Sequence, residues 1–165
     1  MIFVFQDNGY GISVPKKDQT ANRKAADNFA GFKNLRIIHC DGKDVFDSMN
    51  AMFEAKRHAL ESGEPVIVHA SVVRIGSHSN SDRHDLYRSE AELRCVRAHD
   101  PIPRFKKLLT DMKILNKEII AEIEKEIDLM VTDAHKKAMK APDPDPASIY
   151  NFLIPEPYIS QKYLQ

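Results

Sequence analysis

A chain of 165 residues is long enough for one hydrophobic core, burying about 70% of the surface its unfolded form exposes. Twenty-four Lys and Arg balance twenty-four Asp and Glu, so no net field argues for nucleic acid or an anionic membrane as partner. No apolar run approaches the ~20 residues of a membrane span and no signal peptide is visible, so a soluble intracellular α/β chain is expected. Cys40 and Cys95 lie far apart without metal-ligand spacing, and reduced thiols in a cytosolic protein are the simplest account of them.

Residues 2–5 form a short apolar run that predicts a strand stopping at Gln6-Asp7-Asn8-Gly9-Tyr10-Gly11. A buried strand of an open α/β sheet meets its ligand loop in this way. Gly9 and Gly11 permit close backbone approach and positive φ, and Asn8 offers a neutral amide oxygen. Such an oxygen-rich loop suits magnesium, although on composition alone a tight turn closed by an Asx bend is the stronger account. Residues 24–32 predict a short helix and residues 35–40 a second strand, apolar enough to be covered on both faces. Asp44 caps the next helix, with Val45, Phe46, Met49, Met52, Phe53, Ala59 and Leu60 as its buried stripe, Met49 and Met52 as core filler, and Ser62-Gly63 as its end. Residues 66–73 are the strongest strand signal. This alternation predicts a parallel sheet, with the loops after the first and third strands on one rim.

Residues 74–88 form the most polar segment and a long connection. His78 can move a proton near neutral pH, and Arg74, Arg83 and Arg88 offer planar forks for phosphate or carboxylate. Helices follow: one over 90–98 capped by Ser89, with Glu92 completing a capping-box pattern, and one opened by Asp100-Pro101 with Ile102, Phe105, Leu108, Leu109 and Met112 on its inner face. The longest starts at Asn116 with an apolar stripe from Ile119 to Ala138 and a solvated charged face. Pro142 to Pro146 reads as a stiff extended spacer, followed by an apolar patch at Ile149, Phe152, Leu153 and Ile154. The parts are 1–88, a parallel α/β part with cofactor-side loops; 89–141, helical; and 142–165, a proline-rich tail.

Two motifs carry a resemblance. Asp7-Asn8-Gly9-Tyr10-Gly11-Ile12-Ser13 is similar to the end of the thiamine diphosphate motif in α subunits of 2-oxo acid dehydrogenase E1 components. The run Arg74-Ile75-Gly76-Ser77-His78-Ser79-Asn80-Ser81-Asp82, ending in Tyr87-Arg88-Ser89, resembles the phosphorylation loop of the same family, closest to the branched-chain type. The resemblance implies a partial three-layer αβα thiamine-diphosphate-binding fold. It implies Asn8 and the Tyr10 carbonyl as magnesium ligands, with Asn8, Tyr10, Ile12 and His78 at the cofactor. His78 is then the catalytic histidine, Ser79 falls at the phosphorylated position, and Arg74, Asp82, Tyr87 and Arg88 support the loop. Gln6 and Asp7 stand where the family often has a basic residue, which puts diphosphate contact by that element in doubt, and Arg83 replaces a frequent acid. The Gly-Asp-Gly half of the motif does not precede these residues, so the chain reads as the carboxyl-terminal part of an α subunit, or of the α half of a fused chain.

The implied activity is thiamine-dependent oxidative decarboxylation of a branched-chain 2-oxo acid with acyl transfer to a lipoyl E2 core. The implied partner is an E1 β subunit or fused β half, in a hetero-tetramer or a homodimer of fused chains. Location is the cytoplasm, or the mitochondrial matrix in a eukaryote, and the isolated chain is expected to be inactive. The rivals are a non-enzymatic assembly module, a pyruvate- or acetoin-type E1, and phosphate or nucleotide binding on the same rim, for which no glycine-rich loop opens a helix.

Overall fold

The computed structural model describes residues 1–151. The chain divides into two compact units, Met1–Leu115 and a second beginning at Asn116. In the first, β1 (Ile2–Asp7) ends at a small antiparallel pair, β2 (Tyr10–Gly11) and β3 (Val14–Pro15). Then come β4 (Arg36–Asp41), α1 (Val45–Ser62), β5 (Val66–Ser71), α2 (Glu90–Ala98) and α3 (Pro101–Asp111). The three long strands form a parallel sheet in the order β1-β5-β4, with Asp7 and Asp41 both level with Ser71. The α/β class with helices after the sheet is thus present.

β5 lies in the middle, and Val66 through Ala70 are all buried, which accounts for an apolar run broken only by His69. It ends two residues earlier than the sequence suggests, because β1 offers no strand partner beyond Asp7; one last bond runs from Val72 N to the Asp7 carbonyl at 3.0 Å. β4 departs further from expectation. It is an end strand that alternates, with Ile38 and Cys40 buried against α1 and His39 half-exposed on the other face. There the cover is a 3-10 turn, Ala25–Phe29, rather than the predicted helix over 24–32. Ala26 is fully buried and Phe29 meets Phe5 edge-on at 5.7 Å. Five residues containing Asp27 and Asn28, with Gly31 just beyond, are too few and too poor in helix formers for an α-helix.

α1 begins and ends as its capping residues require. Asp44 accepts from Phe46 N and Asp47 N at 3.0 and 3.1 Å, and Gly63 closes the helix at φ 72°. Its buried stripe keeps Ala59 of the expected one but is otherwise different. Ala51, Ala55 and Ala59, four apart, pack on Ile38, Cys40, Val66, Val68 and Ala70, whereas Phe46, Met49, Met52, Phe53 and Leu60 are exposed. Small side chains let the helix lie close on the sheet, so the large ones flanking that row are carried outward. Met49 and Met52 are therefore not core filler here. On α3, Asp100 caps and Pro101 occupies the first turn as predicted, but Ile102, Leu108 and Met112 are exposed; Phe105 does pack, against Phe46 at 6.1 Å.

In the second unit, α4 (Lys117–Lys140) is capped by Asn116, which accepts from Ile119 N at 2.8 Å. None of its residues is buried, and the Ile119, Ile123, Ile127 and Met130 stripe is exposed. Extended chain ends at Asp145, which caps a 3-10 turn, Pro146–Tyr150, so Pro146 opens a turn instead of prolonging a spacer. Phe152, Leu153 and Ile154 lie outside the described residues.

The β4–α1 turn crosses β5 at Gly42, where a Cβ would stand 2.5 Å from Val72 Cγ1 and 3.0 Å from Ala70 Cβ. Gly42→Ala should therefore destabilise the chain by about 1–3 kcal/mol, seen as a lower urea midpoint with unchanged m-value. An unaltered midpoint would show that the turn has room to move.

Candidate functional site

The last residue of β1 organises the rim of the sheet. Asp7 Oδ2 accepts from Lys16 Nζ at 2.6 Å and from His69 Nε2 at 2.9 Å, and Oδ1 accepts from Gly9 N at 3.1 Å. The Asp7 side chain is 6% exposed and His69 is 1% exposed. The acid that stands where the family often has a basic residue is thus largely buried and charge-compensated. Burial by itself raises the Asp7 carboxyl, but the Lys16 ammonium, the Gly9 N–H and the His69 ring hold it below its ordinary value. Removing the carboxylate would orphan the buried His69 Nε2, a loss of about 1–3 kcal/mol, while Lys16 could turn to water.

Beyond Asp7 the chain turns sharply. Gly9 takes φ 83°, and the Gly9 carbonyl accepts from Lys16 N at 2.8 Å. Asn8 Oδ1 accepts from Tyr10 N at 3.0 Å, so the Asx bend is present, while the amide oxygen keeps a second lone pair for another partner. Ile12, a β-branched residue, is held at φ 58°, a conformation costing roughly 1–3 kcal/mol that persists where surroundings over-determine it. It is the first of the two residues that turn β2 into β3, where a tight hairpin takes a positive φ, and Arg74 Nη2 donates to its carbonyl at 2.8 Å, leaving the Ile12 side chain 55% exposed.

Arg74 also belongs to the other loop, and the two loops meet through it. Its Nη2 donates to Tyr87 Oη at 2.7 Å, Tyr87 Oη donates to Asp82 Oδ2 at 2.8 Å, and the same oxygen accepts from His78 N at 2.6 Å. That His78 N–H, with Tyr87 and Arg74, holds the Asp82 carboxyl below its ordinary value, whereas burial first and Asp82 second raise the Tyr87 phenol. Arg88 is 4% exposed and donates from Nε to Glu92 Oε1 and from Nη1 to the Arg74 carbonyl, each at 2.9 Å. The Tyr10 ring lies under both guanidinium groups, 5.6 Å from Arg74 Cζ and 5.2 Å from Arg88 Cζ, and 5.9 Å from the Tyr87 ring. Burial and then Glu92 push the Tyr10 phenol up.

His78 and Ser79 sit at the exposed tip of the 74–88 loop, where Ser79 Oγ is 3.1 Å from Ser81 Oγ. Of the three arginines read as anion holders, Arg83 is paired with Asp85 at 2.6 Å and Arg88 is spent on Glu92. Arg74 alone of these keeps Nε and Nη1 without a hydrogen-bond partner among the described residues. An open cleft of about 410 Å³ lies beside the glycine loop, and Gln6, Asp7, Asn8, Tyr10, Lys16 and Gln19 are among the residues that line it. No group of three His, Cys, Asp or Glu among the described residues could hold a metal. At the glycine loop the Asn8 amide and the Tyr10 carbonyl are neutral, hard oxygen donors.

Several functional residues escaped the sequence. His69 is hidden in a strand-like run, yet it stands level with His39 across the β4–β5 ladder, the rings 5.2 Å apart and His39 Nε2 3.0 Å from Asp27 Oδ1. A histidine four residues into each strand was the available signal. Lys16 gave none, and for Glu92 only the Arg88 contact four residues away was within reach of the sequence, its Tyr10 partner lying 82 residues off.

An α/β chain with an oxygen-donor loop and a histidine-bearing loop at the carboxyl ends of adjacent parallel strands has the organisation of an enzyme's cofactor-site region. Residues 1–147 match the model of the dehydrogenase E1 component family, and the chain belongs to that family. It is 32% identical over 157 residues to the human mitochondrial 2-oxoisovalerate dehydrogenase subunit alpha, covering 94% of this chain and 35% of that protein. It is 35% identical over 153 residues to the Arabidopsis thaliana mitochondrial pyruvate dehydrogenase E1 component subunit alpha-1, covering 90% and 38%. The chain thus spans little more than a third of these relatives. No helix among the described residues is long and apolar enough to cross a membrane.

Because the folded Asp7 carboxyl lies below its ordinary value of 3.8, its contribution is complete above that value and fades as pH falls through the lower, folded one. The stability gap between the wild type and Asp7→Asn, read from urea midpoints, should be constant from about pH 7 to 5 and shrink below about pH 4. A gap that widens in acid would assign the carboxylate the opposite role.

Proposed function

We propose that the chain is part of the α component of a 2-oxo acid dehydrogenase that decarboxylates its substrate oxidatively and passes the acyl group to a lipoyl carrier. The observation that carries the reading is the junction of two ordered motifs, 7–13 and 74–82, which Arg74 joins by bonding both Ile12 and Tyr87. It is supported by the family match over residues 1–147.

In this reading thiamine diphosphate supplies the carbanion chemistry, and the chain supplies binding and orientation. The Asn8 amide oxygen and the Tyr10 carbonyl would hold magnesium and Ile12 would give apolar contact, while the Asp7 carboxylate at the cleft wall is already paired with Lys16 and His69. His78, on a loop whose backbone is fixed by Asp82, holds or gives a proton at its imidazole during acyl transfer. Ser79 beside it is the phosphosite equivalent, where a phosphate would crowd that imidazole with negative charge. The remaining ligands come from outside these 165 residues, from an upstream Gly-Asp-Gly half of the motif in the parent chain and from an E1 β subunit or fused β half, in a hetero-tetramer or fused homodimer that docks to a lipoyl E2 core. The setting is the cytoplasm, or the mitochondrial matrix in a eukaryote. The Arg74-Ile75-Gly76 lead favours a branched-chain substrate. Identity of 35% with the Arabidopsis pyruvate dehydrogenase subunit favours pyruvate as the second reading, and kcat/KM for 3-methyl-2-oxobutanoate against pyruvate separates them.

In the complete enzyme, His78→Ala should lower the rate of lipoyl acylation by about 10²-fold or more, the range of a general acid–base contribution. Full activity would sink the assignment. Two neutral ligands leave magnesium largely hydrated, so the 165-residue chain alone should show no thiamine diphosphate binding by calorimetry at micromolar concentrations. Tight binding would place the whole site within it.

A further inference from the structure

Glu92 is the third residue of α2, and its backbone does what a capping position requires, donating to Ser89 Oγ at 3.2 Å. Its carboxylate serves a different purpose. Oε1 and Oε2 accept from Tyr10 Oη at 2.9 and 3.1 Å, and Oε1 also accepts from Arg88 Nε at 2.9 Å. One side chain therefore touches both halves of the site. Tyr10 is in the glycine loop, whereas Arg88, through Nη1, grips the Arg74 carbonyl at the base of the histidine loop. We propose that Glu92 is a positioning residue that fixes the glycine loop relative to the His78 loop, so that a ligand ordering one orders the other.

Three features support this beyond the contacts themselves. The Arg88 side chain is 2% exposed, and Glu92 is the carboxylate that compensates it, so the pair cannot swing apart without leaving a buried guanidinium uncompensated. Tyr10 lies beneath the Arg74 and Arg88 guanidiniums, so its phenol can reach Glu92 only while both arginines are seated. Arg74 in turn seats Tyr87, and Tyr87 seats Asp82, whose carboxylate holds His78 N. The route from Tyr10 to His78 is thus continuous through hydrogen bonds, and Glu92 is where the glycine-loop side chain enters it.

The proposal rests on the reading that Asn8 and Tyr10 hold magnesium and the diphosphate, and its test separates the two. Amide hydrogen exchange of segment 76–86 is followed in the complete enzyme without cofactor, for the wild type, Tyr10→Phe, Glu92→Gln and the double variant. Tyr10→Phe removes only the phenol bond and leaves the Arg88–Glu92 pair, so it serves even if Glu92→Gln folds poorly. Each single variant should speed exchange in 76–86 by about three- to tenfold, the effect of one hydrogen bond. The double variant should be no faster than Glu92→Gln, because both act through one contact. Unchanged exchange in 76–86 for Tyr10→Phe, or additive effects, would overturn the coupling. Thiamine diphosphate with magnesium is then added. Protection of 76–86 should appear in the wild type at concentrations about three- to tenfold lower than in either variant. Equal concentrations would refute positioning. Absence of any protection in the wild type would instead overturn the cofactor reading while the apo exchange still judges the coupling.

Discussion

The structure depends first on β1 lying beside β5, parallel and with Asp7 level with Ser71. That single register brings the carboxyl ends of two strands, 64 residues apart in the chain, to the same edge of one sheet. Every loop of functional interest leaves from there. β5 tolerates this central place because five successive residues can be buried on both faces. A one-residue slip would turn His69 out of the face where Asp7, Phe5 and the 25–29 turn await it.

The price of that register is a buried charge. Asp7 ends β1 where an apolar residue would be simpler, and it is kept there by three donors, the Lys16 ammonium, the Gly9 N–H and the His69 ring. Buried pairs of this kind contribute little net stability but fix geometry, since no other arrangement satisfies all the partners. Here they fix the direction in which the glycine loop departs, and they tie up the acid at the wall of the cleft beside Asn8. The strained Ile12, clamped by Arg74, and the Tyr10 ring beneath two guanidiniums follow from a loop held at both ends.

Much of this frame is legible in local sequence. Asp44 and Gly63 mark the limits of α1, Ser89, Asp100 and Asn116 cap the three later helices, and the apolar run of β5 declares a central strand, because caps and periodicity act over a few residues. Packing depth is less legible. α1 displays Phe46, Met49, Met52 and Phe53 as prominently as Ala51, Ala55 and Ala59, and only the proximity of the sheet selects the alanines. The 25–29 segment reads as a helix because alanine and phenylalanine recur at the right spacing, yet a five-residue 3-10 turn suffices to cover Phe5 and His39.

The sequence by itself determined the three long strands, the four α-helices and their caps, the two loop motifs and the membership of a family built around them, since each is a property of residues close together in the chain. Tertiary structure alone decided the fate of the charges. Whether Asp7 faced a ligand or the interior, whether Arg88 held an anion or Glu92, and whether Glu92 closed a cap or reached Tyr10 depended on partners up to 82 residues away. A charged side chain settles where its desolvation is best compensated, and the groups that compensate it are known only once the strands are in register.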